Sequence, residues 1–326
     1  MPGLYPLKFK PRYLPKIWGG NRLNTILGKD FGSLQNCGES WELSSVEDYV
    51  SEVSNGFLSG NSLTDLIEVY MGDIVGEKVF KKYGLEFPLL FKFIDANDDL
   101  SIQVHPNDKL SKERHNAYGK TEMWYVIHAE EGALINSGFN RKVTKEEYIM
   151  LLQEGRLHEV LKYDTVEPGD VFFIPAGRVH AIGKGVLLAE IQQTSDVTYR
   201  IFDYNRTDAE GKQRELHTEL ALDAIDFSYI KDTKSKFDLE KNVTGEIVKC
   251  EYFTTNLLEF TQQVEKDIYA LDSFVVYINL QGSYKLVYGE GEEIVEKGET
   301  ILVPASLESY SLIPLSGEAK VLEVYV

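Results

Sequence analysis

The stretch Pro168-Gly-Asp-Val-Phe-Phe-Ile-Pro-Ala-Gly-Arg-Val-His180 aligns without gaps on Lys297-Gly-Glu-Thr-Ile-Leu-Val-Pro-Ala-Ser-Leu-Glu-Ser309. Each copy has a glycine turn (Gly169, Gly298), an acidic residue, an apolar strand and a proline (Pro175, Pro304) that cannot donate to a sheet ladder. A chain that repeats this unit is committed to antiparallel hairpins and to two similar β units. The copies differ where it matters for chemistry: His180 falls opposite Ser309. No histidine follows His217, so the second unit lacks the means to build a comparable His-based site.

Around this repeat the chain reads as short strands broken by Gly, Pro and Asn/Asp turns. Ser62 with Asp65 has the form of a capping box, and Leu63, Leu66, Ile67 and Tyr70 follow helical spacing. Thr144 with Glu147 predicts a second capped helix, and a third is expected over 216–226 with Thr218 as its cap. Lys231-Asp-Thr-Lys-Ser-Lys is the best linker candidate, after which the helical signal ends. The expected organisation is a metal-binding unit with helical insertions over 1–233 and a ligand-free unit over 234–326.

Gln103-Val104-His105-Pro106 carries the chemistry of the first unit. Gln103 and His105 are two apart, so on a strand both project from one face. Glu122 opens a β-favouring stretch, and His180 follows the apolar run that Pro175 stops. Two histidines, one amide and one carboxylate make a nitrogen/oxygen set suited to Zn²⁺, with room left for substrate or water. A single carboxylate leaves the ion under-neutralised and able to act as a Lewis acid.

Composition narrows the function classes. With 326 residues and a net charge of −18, the chain is a poor match for nucleic acid, whose phosphates demand a basic face. No run approaches the ~18 apolar residues of a membrane span. Cys37 and Cys250 are too few for a disulfide framework, and the N-terminus has Lys and Pro where a signal peptide needs apolar residues, so cytoplasmic localisation is expected.

Gly-x-Asp-x₄-Pro-x₄-His with an upstream His and Glu resembles a cupin, a small double-stranded β-barrel that often carries a metal. Phe91-Lys-Phe-Ile, Ser101-Ile-Gln-Val-His-Pro-Asn, Lys120-Thr-Glu-Met, Pro175-Ala-Gly-Arg-Val-His-Ala-Ile and Glu190-Ile-Gln-Gln-Thr-Ser-Asp-Val-Thr-Tyr-Arg200 then occur in order. Together with Gly38-Glu-Ser-Trp-Glu-Leu they resemble the type I mannose-6-phosphate isomerases, in the shorter bacterial form. The resemblance implies a mainly β fold of two cupin-like barrels with a few helices inserted around the first. It implies one Zn²⁺ per chain held by Gln103, His105, Glu122 and His180, with Arg200 catalytic, and a phosphosugar substrate. The oligomeric state is left open.

Aldose–ketose isomerisation moves a proton between C1 and C2 through an enediol, so it needs an electrophile and a base. Arg200 suits electrostatic stabilisation. Lys120, Glu190, Asp196 or a histidine beside the metal could handle the proton; Lys120 leads, on the expectation that a neighbouring cation and Arg200 lower its pKa. Ser101 shares the parity of Gln103, and Lys92 is a charge within an apolar strand, so the two together suit a 6-phosphate. Each has a plainer reading: Lys120 paired with Glu122, Lys92 snorkelling to the rim, Arg200 paired with Asp196. The remaining histidines (115, 128, 158 and 217) have no ligand spacing, and Trp18, Trp41 and Trp124 read as core or cavity wall. Two other functions compete. One is a different metallocupin, of the glucose-6-phosphate isomerase or dioxygenase type; the other is a sugar-binding cupin without turnover.

Overall fold

The structure is a computed structural model and describes residues 3–46, 48–207 and 211–326. Over these described residues it is mainly β, with four antiparallel sheets. In the N-terminal half, the large sheet runs Arg12–Gly20, Cys37–Leu43, Leu89–Ala96, Val186–Gln193, Glu122–Ala129, Val171–Ile174. The small sheet runs Tyr199–Phe202, Ile102–Val104, His180–Ile182, Leu134–Phe139, Leu161–Thr165. The two pack face to face through Ile94, Trp124, Phe172 and Leu188 from one and Ile135 and Ile182 from the other. Among the described residues no sheet closes on itself, so in place of the barrels expected from the sequence there are open, facing pairs of sheets.

The hairpin repeat extends to a whole unit. Leu89–Ala96, Val186–Gln193, Glu122–Ala129 and Val171–Ile174 recur in the same spatial order as Thr254–Phe260, Ala319–Tyr325, Val275–Gln281 and Thr300–Val303. The small sheet recurs as Val264–Asp267, Ser309–Pro314, Tyr284–Tyr288 and Gly291–Val295. Gly169 and Gly298 both turn the chain with positive φ, 98° and 82°, a conformation that a side chain would strain. Register then shows what the second unit lost. His180 faces Gln103, whereas Ser309 faces Asp267. Glu122 faces Ile174, whereas Val275 faces Val303. One polar group survives in altered form: Glu190 receives the Trp124 indole N–H at 2.8 Å, and its register counterpart Glu323 receives the Tyr277 hydroxyl at 2.7 Å.

Both central strands of the large N-terminal sheet are buried along their whole length, because each face is covered. Alternation sorts their side chains. Lys92, Glu122, Trp124 and Glu190 point between the two N-terminal sheets, while Phe91, Phe93, Met123, Tyr125 and Ile191 join a core that includes Phe274, Val276 and Leu322 of the C-terminal half. Phe87 and Phe274 meet across that boundary with ring centroids 4.5 Å apart. Leu7–Lys8 also crosses over, pairing with Thr300–Val303 of the C-terminal large sheet.

Helix Leu63–Tyr70 carries the capping box of Ser62 and Asp65, and Lys145–Gln153 is capped by Thr144. The third helix is Thr218–Ala224; Thr218 is its first residue rather than its cap, a position held by His217 without a side-chain bond. Sequence periodicity missed Asp108–His115, whose polar, exposed faces give little amphipathic signal. The expected linker is docked: Ser235 donates its N–H to the Val171 carbonyl and Lys234 pairs with Asp170 at 2.6 Å. Among the described residues, no helix is long and apolar enough to cross a membrane.

Candidate active site and metal centre

The facing sheets bring three of the four expected ligands to one point. His105, just past Ile102–Val104, His180, which opens His180–Ile182, and Glu122, which opens Glu122–Ala129, offer ligand atoms within 4.8 Å of one another, all buried. Glu122 Oε1 lies 3.4 Å from His180 Nε2, and its Oε2 lies 3.5 Å from His105 Nε2. The other ring nitrogens are engaged by backbone: His105 Nδ1 meets the Val197 carbonyl at 2.9 Å and His180 Nδ1 meets the Arg178 carbonyl at 2.8 Å. Carbonyls only accept, so Nδ1 carries the proton in both rings and each Nε2 turns a lone pair inward. Gln103 is the register partner of His180 and opens on the adjoining cavity.

A cation fits these donors. Glu122 Oε1 and His180 Nε2 are buried acceptors without a hydrogen-bond partner among the described residues, a costly arrangement that a metal ion would relieve. Burial holds His180 down at about 3. Burial, then the charge of Lys120, hold His105 well below its ordinary value, so both rings are neutral ligands at working pH. Burial and the carboxylate of Glu190 push Glu122 up to about 7, and a divalent cation would restore its ionised form.

A cavity of about 350 Å³ opens beside this centre. It is lined by Lys92, Ser101, Gln103, Lys120, Glu190, Asp196 and Arg200, so the structure gathers every predicted non-ligand site residue on one cavity. Lys120 Nζ contacts Glu122 Oε2, sits 3.1 Å from His105 Nε2 and lies 3.9 Å from Glu190 Oε1. This corrects one expectation. Burial works to lower the Lys120 pKa, but the Glu122 and Glu190 carboxylates outweigh it, and the pKa is raised. Lys120 is therefore a held cation and does pair with Glu122. Lys92 is buried, lies 3.4 Å from Glu190 Oε1 and stands 4.7 Å over the Trp41 ring; it does not snorkel out to the rim. Asp196 is exposed at the cavity edge, and among the described residues no ion pair joins it to Arg200. Arg200 donates from Nη1 to the Glu215 carbonyl at 2.8 Å, while its buried Nε has no partner among the described residues. Burial and neighbouring Arg214 push the Arg200 pKa down.

Three charged lining residues, Glu39, Lys16 and Arg214, were not among the expected site residues. Glu39 accepts from the Trp41 indole at 2.7 Å and pairs with Lys16 at 3.0 Å. Burial alone would raise it, yet Lys16, Lys92 and the indole hold it at about 2. Trp41 lines the cavity as one of the tryptophans read as core or cavity wall. Glu39 lay inside the flagged Gly38–Leu43 motif, so a signal existed without a role. Lys16 and Arg214 had none, because only the folding of strand Arg12–Gly20 and of a loop beyond Phe202 brings them to the cavity.

Residues 7–121 match the family model of the phosphomannose isomerase type I catalytic domain. The match ends one residue before Glu122, so it spans Gln103, His105 and Lys120 but not His180 or Arg200. Over 316 residues the chain is 36% identical to mannose-6-phosphate isomerase ManA of Bacillus subtilis, covering 94% of this chain and 95% of that one. The chain belongs to the type I phosphomannose isomerase family. A Streptococcus mutans mannose-6-phosphate isomerase is 35% identical over 306 residues, covering 94% of each chain. The crystal structure of a Bacillus subtilis mannose 6-phosphate isomerase superposes with a TM-score of 0.89 at 30% identity, covering 99% of this chain and 100% of that one. A phosphomannose isomerase family member from Salmonella typhimurium, 16% identical with a TM-score of 0.79, shows the shared fold alone.

Proposed function

We propose that this chain is a zinc-dependent aldose–ketose isomerase that interconverts mannose 6-phosphate and fructose 6-phosphate through an enediol, acting in the cytoplasm with one Zn²⁺ per chain. The observation that carries the reading is the junction of two neutral imidazoles and one buried carboxylate with a cavity holding Lys120, Glu190 and Arg200. Gln103, His105, Glu122 and His180 would hold the ion. Once bound, zinc supplies Lewis acidity toward the sugar's carbonyl and neighbouring hydroxyl oxygens.

The chain's own groups do the rest. Glu190, whose pKa is lowered because Lys120, Lys92 and the Trp124 indole outweigh its burial, is an ionised acceptor for the carbon-bound proton. Lys120, held cationic, is the complementary donor to oxygen, which keeps it the proton-transfer residue but as the acid. Arg200, which has no carboxylate partner among the described residues, stabilises charge developing on the substrate. Ser101 and Lys92 receive the 6-phosphate, with Asp196 at the rim. A phosphate remote from C1 and C2 contributes binding energy that orients them. We assign this work to residues 1–233, built as a cupin-like unit, and read residues 234–326 as its ligand-free counterpart.

A coupled assay on mannose 6-phosphate before and after chelation, with zinc added back, tests the metal. Incubation in D₂O tests the chemistry, because an enediol route lets solvent deuterium reach C1 or C2. Full activity after chelation would overturn the zinc reading, and catalysis by intramolecular transfer without any enediol would leave both carbons unlabelled.

A further inference from the structure

A cleft of about 730 Å³ lies between the two halves, and its wall contains a continuous hydrogen-bond chain that ends beside the metal centre. The chain starts at Tyr252, in the tight turn between Gly245–Lys249 and Thr254–Phe260 of the C-terminal half. The Tyr252 hydroxyl donates to Asp108 Oδ2 at 2.7 Å. The other oxygen of Asp108 accepts from Gln193 Nε2 at 2.9 Å and from the Gly119 N–H at 2.8 Å. The Gln193 side-chain oxygen accepts the Thr121 N–H at 2.9 Å, and the Gln193 N–H donates back to the Thr121 carbonyl at 3.1 Å. Thr121 sits between Lys120 and Glu122, and its hydroxyl accepts the Ala176 N–H of the loop leading to His180 at 3.2 Å. Asp108 is itself three residues beyond His105.

Each link has directional logic. Asp108 accepts all three bonds it makes, so its carboxylate is fixed from both sides. With its oxygen turned to Thr121 and its amide to Asp108, Gln193 has one useful orientation. Charge-assisted bonds of this kind are short and hold geometry well. We propose that Tyr252 is a positioning residue for the metal centre: through Asp108 and Gln193 it fixes the backbone that presents Lys120 and Glu122. The ligand-free C-terminal half thereby becomes a working part of the site. This inference rests on the metal reading above.

The test uses the full chain and the variant Tyr252→Phe, which deletes one hydroxyl facing a cleft and leaves the packed ring. Amide hydrogen exchange across 119–123 should speed up, zinc should be lost to a competing chelator about three- to tenfold faster, and kcat should fall by a similar factor with KM unchanged. In a Gln193→Leu background, Tyr252→Phe should add little, because the chain is already cut. Asp108→Asn, which keeps the shape, serves in the same role should Gln193→Leu fail to fold. Unchanged exchange and zinc retention in Tyr252→Phe, or an equal effect in both backgrounds, overturns the proposal. If wild-type enzyme keeps full activity without zinc while exchange at 119–123 still responds to Tyr252→Phe, the metal reading fails and the relay stands.

Discussion

Glu122→Gln is the most discriminating single change, because it keeps shape and removes the only charge among the expected ligands. In the chelated protein the variant leaves Lys120 buried beside Glu190 at 3.9 Å. At that separation, with an effective dielectric of about 20, the remaining pair is worth about 4 kcal/mol, so the ammonium is not orphaned. The net cost should then be about 1–3 kcal/mol, a melting point lower by roughly 1–4 °C. Zinc response separates a ligand from a structural carboxylate. At a zinc concentration about 100 times Kd, wild type gains about 2.7 kcal/mol, or roughly 4 °C. A hundredfold weaker site at the same concentration gains about 0.4 kcal/mol, below 1 °C. Thermal melts with and without zinc, beside zinc content after dialysis, read both quantities. A Glu122→Gln protein that keeps one zinc and the full wild-type shift would refute the ligand assignment.

Gln103→Ala should weaken zinc retention, whereas Arg200→Ala should leave zinc content intact and depress turnover by about 10²-fold or more; metal analysis beside steady-state kinetics checks the split, and equal metal loss in both undoes the assignments. Lys92→Met should raise KM for mannose 6-phosphate more than for unphosphorylated mannose, and an equal rise for both sugars removes the phosphate role. Acid should destabilise the chelated protein. His180, neutral in the fold down to about 3, cannot take the proton its unfolded form accepts below the ordinary 6.5, and Glu39, held at about 2, loses stability as pH falls below the ordinary 4.5. Glu122, pushed up to about 7, offsets part of this above pH 4.5, so the steepest loss is expected between about 4.5 and 3; urea midpoints against pH should show it, with a shallower slope in Lys16→Met.

Much of the site was legible because strand parity is rigid. Gln103 and Ser101, two apart, both line the cavity, as their spacing required. The hairpin repeat recurs in the register, which pairs Ser309 with Asp267 where His180 meets Gln103. The sign of the Lys120 shift was not legible. It depends on two carboxylates on different strands, one of them 70 residues away in sequence, and on which of burial and charge prevails.

The sequence by itself determined the periodicities, the turns, the donor types and their same-face pairs, since these follow from local backbone geometry and residue chemistry. Only the tertiary structure decided which nitrogen of each histidine faces inward, that Glu39, Lys16 and Arg214 share the cavity, and that Tyr252 reaches across from the other half. Those depend on sheet register and on distances between segments far apart in the chain, and no local pattern encodes them.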